Sequence, residues 1–290
     1  MGAMKPDDYL PLLRLALRED LGDRGDVTTD AIFSGEVSSA VLLSKDTGVL
    51  AGAEIFIAVY EELDHDVSVI FHKRDGDSLQ PGETVALVKG PVASILAGER
   101  VAINFLSFLS GIAGGTKRFV EAAAAGGRAV ILDTRKTLPG YRMLSKYAVR
   151  AGGGRNHRNG LYDMVLIKDN HIDFSGSITR AVERVRSKWG GEYRIEVECR
   201  TTEEVKEALA CAVDVIMLDN MDEKSVREAV SLRKASNRLE SAGVKFEASG
   251  NMDLKTAGIM SGTGVDYISV GSLTHSVKCF DFSLRTEVLL

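Results

Sequence analysis

Cysteine is scarce in this chain: three among 290 residues, Cys199, Cys211 and Cys279. An odd count with no Cys-x-x-Cys pair excludes a readable disulfide framework or zinc ribbon and makes a reducing compartment, the cytoplasm, the expected location. Positive charge is in the minority too. Thirty-six Lys and Arg face 41 Asp and Glu, a formal charge of −5. That argues against a nucleic-acid or membrane-surface binder held by bulk charge, so any anion site has to be local. No apolar run approaches the ~20 residues of a bilayer crossing, and no basic flank precedes an apolar stretch near the N-terminus, so neither a membrane span nor export is expected. His-Glu-x-x-His and Gly-x-Ser-x-Gly are missing, which leaves zinc proteolysis and serine hydrolysis without support.

What is there is ample apolar material, 44% of the residues, in a length that suits one large or two ordinary domains. Leu10, Leu13 and Leu17 recur at helical spacing and Gly22 ends that run. Residues 40–43, 67–71 and 84–88 are short β-rich runs separated by Asp-Gly and Pro-Gly turns, with a helix predicted near 54–63. Residues 95–125 read as one long apolar helix, in which the cluster Gly111-Ile112-Ala113-Gly114-Gly115-Thr116 predicts close packing or a break. From residue 129 a unit repeats: a short apolar run ends in a polar residue and a helical segment follows. The runs are 129–132, 164–167, 195–197, 215–218, 245–248 and 267–270. Being apolar or nearly so throughout, they read as parallel strands covered on both faces, joined by right-handed crossovers. The repeat fills only about 150 residues against ~250 for a complete eight-unit barrel. The expected architecture is therefore α/β: an N-terminal α/β sandwich-like domain, then an incomplete (β/α) barrel of about six to seven parallel strands.

Barrels place their chemistry at the C-terminal ends of the strands. Those ends carry Asp133, Thr134, Arg135 and Lys136; Lys168, Asp169 and Asn170; Glu198 and Arg200; Asp219 and Asn220; Ser249, Gly250 and Asn251; Gly271 and Ser272. Between Asp133 and His171 eight Lys or Arg oppose three acids, so the first two strands are expected to face an anion. Arg142, Lys146 and Arg150, at spacing four, predict a solvated helix face. Arg135, Arg158 and Lys168 follow turns or strand ends instead, where guanidinium suits bidentate carboxylate or phosphate binding and ammonium gives a compact charge. Glu198 and Asp219 end two later runs, and carboxylates beside an anionic ligand favour magnesium bridged to phosphate oxygens or hydrogen bonds to ribose hydroxyls. A glycosidase pair is the rival reading, but it leaves the cations without a task. The ends Ser249-Gly250-Asn251 and Val270-Gly271-Ser272 lead into helix starts, a setting for a phosphate cup or for simple capping. His157, between Arg155 and Arg158, is expected to stay neutral and donate a hydrogen bond.

These blocks resemble one family, quinolinate phosphoribosyltransferase. The resemblance rests on Asp26-Val27-Thr28-Thr29, Glu99-Arg100-Val101-Ala102, Asp133-Thr134-Arg135-Lys136-Thr137-Leu138-Pro139-Gly140, Gly153-Gly154-Arg155-Asn156-His157-Arg158, Lys168-Asp169-Asn170-His171, Glu198-Cys199, Leu218-Asp219-Asn220, Glu247-Ala248-Ser249-Gly250 and Ser269-Val270-Gly271. It implies an N-terminal α/β domain over residues 1–113 rejoined by a return over 276–290, and a catalytic barrel over 114–275. It implies phosphoribosyl transfer from phosphoribosyl pyrophosphate to quinolinate with Mg2+, then decarboxylation to nicotinate mononucleotide. By position, Arg135, His157, Arg158 and Lys168 would hold the pyridine dicarboxylate beside Thr134, with Lys136 shared with pyrophosphate. Lys136, Lys168, Glu198 and Asp219 would be catalytic, the two acids meeting ribose hydroxyls or magnesium. Ser249, Gly250, Asn251, Val270, Gly271 and Ser272 would hold the phosphate. Arg100 would come from the neighbouring subunit of a homodimer, which could assemble further into a hexamer. The polar stretch over residues 233–242 looks longer than the family's usual. The alternatives are a related pyrophosphorylase of molybdate-uptake operons, a Schiff-base aldolase using Lys168, and a non-catalytic phosphosugar-binding barrel.

Overall fold

The computed structural model describes residues 4–235 and 243–286; most of the polar stretch at 233–242 lies outside them. Twelve strands are described: β1 Val37–Ser44, β2 Gly48–Val49, β3 Ser68–Phe71, β4 Ser78–Leu79, β5 Thr84–Pro91, β6 Val130–Leu132, β7 Val165–Ile167, β8 Ile195–Cys199, β9 Val215–Asp219, β10 Lys245–Ser249, β11 Tyr267–Ser269 and β12 Phe282–Thr286. Contacts divide the chain into two compact units. The first holds the residues up to Lys117, Leu138–Gly153 and those from Ser276 onward; the second holds Arg118–Thr137 and Gly154–His275. The sequence-based boundaries differ chiefly at Leu138–Gly153, which packs with the first unit: Tyr141 stacks on Phe105 at 5.8 Å and Tyr147 Oη donates to Asp75 Oδ2 at 2.5 Å.

In the first unit an antiparallel sheet runs in the order β12-β1-β5-β3. Helix Ala53–Leu63 buries Ile55, Phe56, Val59 and Tyr60, and Phe56 meets Phe71 of β3 edge to face at 5.5 Å. The chain's end returns to this sheet, Ala40 pairing with Thr286 and Ser44 with Phe282. Helix Val92–Gly126 is 35 residues long and unbroken. Within its glycine cluster Gly111 serves packing: a Cβ there would stand 2.4 Å from the Lys278 carbonyl. By length and composition this helix could cross a membrane, which corrects the expectation that no such segment exists; half of its most apolar window is buried in the fold. A second correction concerns Lys146. Helix Arg142–Ala151 buries it completely, so only part of that charged face is solvated.

The second unit is a six-stranded, all-parallel sheet in the order β6-β11-β10-β9-β8-β7. Residues beside β6 and β7, the two ends of this order, line one common cavity, so the sheet curls into a barrel left open between them. Arg155 partly fills the gap through a parallel bridge to Leu132. Helices Ile178–Trp189, Thr202–Ala210, Glu223–Ala235 and Leu254–Ser261 connect successive strands from β7 to β11. Side chains alternate across a strand, and the lumen is correspondingly layered. Met217 and Asp219, Glu198, Ser249 and Ser269 line an upper cavity, while Val215, Glu196, Glu247 and Tyr267 line a lower one. The inner face of β8 and β10 is thus acidic, not apolar as their runs suggested.

Candidate active site

The upper cavity, about 630 Å³, opens at the C-terminal ends of the strands. Its wall includes Thr134, Arg135, Lys136, His157, Arg158, Lys168, Glu198, Asp219, Ser249, Gly250 and Asn251. Gly271 and Ser272 line a neighbouring space of about 340 Å³ that shares Thr134, Lys136, Ser249, Gly250 and Asn251. The expected rim therefore converges. Two of the residues expected to bind substrate line neither space: Val270, whose side chain is packed in the core at 1% exposure, and Arg100, exposed on helix Val92–Gly126; the strand-end residues Asp133, Asp169 and Asn170 line neither as well. Arg200 is also elsewhere, bound to Glu204 and Asp173.

The cations are held ready for an anion. Arg135 Nε is buried and has no hydrogen-bond partner among the described residues. Arg158 donates from Nη1 to the Met164 carbonyl at 3.1 Å. Its guanidinium is pushed below the usual arginine range, first by burial and then by the charge of Arg135, with Glu196 opposing. Two guanidiniums that repel each other across a partly dry cavity are stabilised by whatever negative charge enters. Lys168 Nζ is hydrogen-bonded to Glu198, whose side chain is 11% exposed against 45% for Lys168. Lys136 is positioned through its backbone, its N–H donating to Thr134 Oγ1 at 3.0 Å and its carbonyl accepting from Thr274 Oγ1 at 2.8 Å.

At the ends of β9 and β10 the loops come unusually close. Asn220 takes φ 54° and Gly250 φ 111°. A Cβ at Gly250 would meet Asn220 Oδ1 at 2.2 Å, so only glycine lets these two strand ends approach. Asp219 Oδ2 accepts from Asn220 Nδ2 at 2.7 Å, and the opposing strand end is Ser249. Glu198 and Asp219 bring hard carboxylate oxygens to one cavity, a donor set that suits magnesium shared with phosphate oxygens.

Three residues receive no role from the sequence: Glu196 and Glu247 beneath the cavity and Ser269 on its wall. His157 Nε2 stands 2.9 Å from Glu196 Oε2 and 3.7 Å from Glu247 Oε2, and both acids are 1% exposed. Ser269 Oγ donates to Glu247. Burial, and next the charge of Glu196, raise the Glu247 carboxyl from 4.5 to about 8. Folded protein therefore keeps a proton there that the unfolded chain has released, and stability falls as pH climbs from about 4.5 to about 8. Glu247→Gln removes that loss and keeps an acceptor for Ser269, so the melting-temperature gap between variant and wild type should widen in favour of the variant over this interval. Parallel pH profiles in thermal melts would contradict it.

Residues 26–110 match the description "Quinolinate phosphoribosyl transferase, N-terminal domain" and residues 112–285 the corresponding C-terminal domain. The chain is 46% identical over 273 residues to "Probable nicotinate-nucleotide pyrophosphorylase [carboxylating]" of Bacillus subtilis (strain 168), covering 94% of this chain and 91% of that one. The crystal structure of NadC from Streptococcus pyogenes superposes with a TM-score of 0.92 at 40% identity, over 99% of this chain and all of the other. The nicotinate-nucleotide pyrophosphorylase from Francisella tularensis gives 0.92 at 35% identity, with 98% of each chain covered. With both domains matched and near-complete coverage at these identities, the chain belongs to the quinolinate phosphoribosyltransferase family.

Proposed function

We propose that this chain transfers the phosphoribosyl group of phosphoribosyl pyrophosphate to quinolinate and releases pyrophosphate, carbon dioxide and nicotinate mononucleotide, a step of NAD synthesis. The observation that carries this reading is the opposed pair Arg135 and Arg158, with Arg135 Nε buried and unpartnered on the cavity wall. A dicarboxylate with its acid groups on adjacent ring carbons offers two negative charges to two guanidiniums. Lys168 and Lys136 add charge at the same wall. Both reactants are polyanions, and this cationic wall cancels their repulsion while fixing the ring nitrogen toward the anomeric carbon. The N–C bond to ribose forms as the bond to pyrophosphate breaks. The ring then carries positive charge, so the neighbouring carboxylate leaves as carbon dioxide with its bonding pair retained on the ring, which takes up a proton.

Glu198 and Asp219 would hold ribose hydroxyls or Mg2+, the metal supplying charge neutralisation for the departing pyrophosphate. Gly250, Asn251, Gly271 and Ser272 suit the 5-phosphate, with backbone N–H groups at small residues open to close approach. Arg100, exposed and lining neither cavity, is available to the pocket of a second copy in a homodimer, with a hexamer as a possible higher assembly. Three free cysteines, Cys199 among them buried, accord with a reducing, cytoplasmic setting. Arg135 and Lys136 speak against the molybdate-operon paralogue, for which loss of this pair is the expected mark. Incubation with quinolinate, phosphoribosyl pyrophosphate and Mg2+ should yield carbon dioxide and nicotinate mononucleotide, with no product when either substrate is left out. Binding of both substrates without product would leave a phosphosugar-binding barrel as the better reading.

A further inference from the structure

The layer beneath the active-site cavity contains negative charge that the proposed reaction does not use. The lower cavity, about 200 Å³, is lined by Glu196, Glu247, Arg155, Arg158, Arg194 and Tyr267 among others. His157 and Arg158 belong to its wall and to that of the active-site cavity above. His157 Nδ1 accepts the Arg158 backbone N–H at 2.8 Å, so Nδ1 carries no hydrogen. A hydrogen on the ring then belongs on Nε2, which stands 2.9 Å from Glu196 Oε2 without meeting hydrogen-bond geometry. The imidazole is thus oriented from inside the protein, Nδ1 by the Arg158 amide and Nε2 by its closeness to the buried Glu196 carboxylate, and its ring lines the active-site cavity. The other oxygen of Glu196, Oε1, is buried without a hydrogen-bond partner among the described residues. Its charge acts on Arg158, opposing the displacement that burial and Arg135 impose on that guanidinium. Arg155 and Arg194 line the same space.

We propose that Glu196 is a positioning residue of the quinolinate pocket: its carboxylate faces His157 Nε2 from below, favouring hydrogen on that nitrogen, and serves as the internal counter-ion of Arg158 until the substrate's carboxylates enter. The inference rests on the dicarboxylate reading of the pocket and adds to it a residue that does not touch substrate. Its consequence is a trade. The charge of Glu196 keeps the empty cationic pocket aligned, and the same charge repels the incoming dianion.

Glu196→Gln keeps the shape and a carbonyl oxygen beside His157 and removes the charge. At saturating phosphoribosyl pyrophosphate and Mg2+, KM for quinolinate should fall several-fold while kcat drops about tenfold, because a loosened guanidinium no longer aligns the ring nitrogen. KM for phosphoribosyl pyrophosphate should stay unchanged. A merely structural role would lower the melting temperature and the active fraction and leave KM per active enzyme where it was. An unchanged or raised KM for quinolinate overturns the proposal. Because the variant could fail to fold, wild-type protein labelled with ¹⁵N at histidine supplies a second reading. Long-range ¹H–¹⁵N correlations of unliganded enzyme at neutral pH should show His157 neutral with hydrogen on Nε2; an imidazolium or an Nδ1–H tautomer overturns the assignment. Wild-type turnover is the control: if it is absent, the parent reading fails, whatever the tautomer shows.

Discussion

Arg135→Ala is expected to lower kcat/KM for quinolinate by about 150-fold, the equivalent of ~3 kcal/mol of transition-state stabilisation. The magnitude follows from where the guanidinium sits. Arg135 Nε is buried with no partner among the described residues, so in the empty enzyme its hydrogen-bonding capacity is held in reserve for a ligand. A charge-assisted bond to a carboxylate in such a place is worth more than an exposed ion pair, which typically contributes only ~0–1 kcal/mol. Removing Arg135 also relieves the repulsion that displaces Arg158, so part of the loss should be regained as easier burial of the remaining guanidinium, and melting temperature should hold or rise. Arg135→Lys should recover only a small fraction of activity, since an ammonium cannot reproduce a planar two-point contact. Steady-state kinetics with quinolinate varied would check both variants, and wild-type kcat/KM for Arg135→Ala would remove Arg135 from the pocket's working set.

The contrast between Arg135 and Glu196 shows which parts of the site were legible beforehand. Rim residues could be read because a strand's C-terminal end is a fixed place in a barrel, and polar groups that follow an apolar run are visible without knowing how strands pair. Lys168, Glu198, Asp219 and Ser249 were placed in this way, and all four line one cavity. The lumen was harder. The run 195–197 reads as a two-sided apolar strand, although Glu196, two residues before the strand-end Glu198, already marks a polar inner face. That spacing was the available signal. Charges at spacing four normally mark a wet helix face, and nothing in that spacing signals that Lys146 is completely buried. The return of Phe282–Thr286 to β1 came only with the family resemblance, since five residues with no strong pattern say nothing about which strand they join.

Asp133 was read as a rim charge, and its true position gives the second large effect. It is wholly buried, its Oδ2 accepting from Asn156 Nδ2 at 2.5 Å and its Oδ1 from the His157 backbone N–H at 2.9 Å. These bonds tie the end of β6 to the segment that fills the open side of the barrel and delivers His157 and Arg158 to the cavity. Asp133→Ala removes the acceptor of two half-buried donors and the packing of a wholly buried side chain, for a loss of ~3 kcal/mol. At ~2–4 °C per kcal/mol for a unit of this size, the melting temperature should drop by roughly 6–12 °C. Activity should fall further than stability. At temperatures where the variant remains folded, kcat/KM should still be reduced by about two orders of magnitude, because Arg158 is carried on the released segment and a displacement of ~1 Å misaligns the bound ring. Asp133→Asn keeps an acceptor for the His157 amide but turns an N–H₂ toward Asn156 or leaves that group unmatched, so it should lie between the two. A variant with wild-type melting and turnover would mean that the segment holds its place through its bridge to Leu132 alone, and that the acid at the strand's end is not what couples the fold to the pocket.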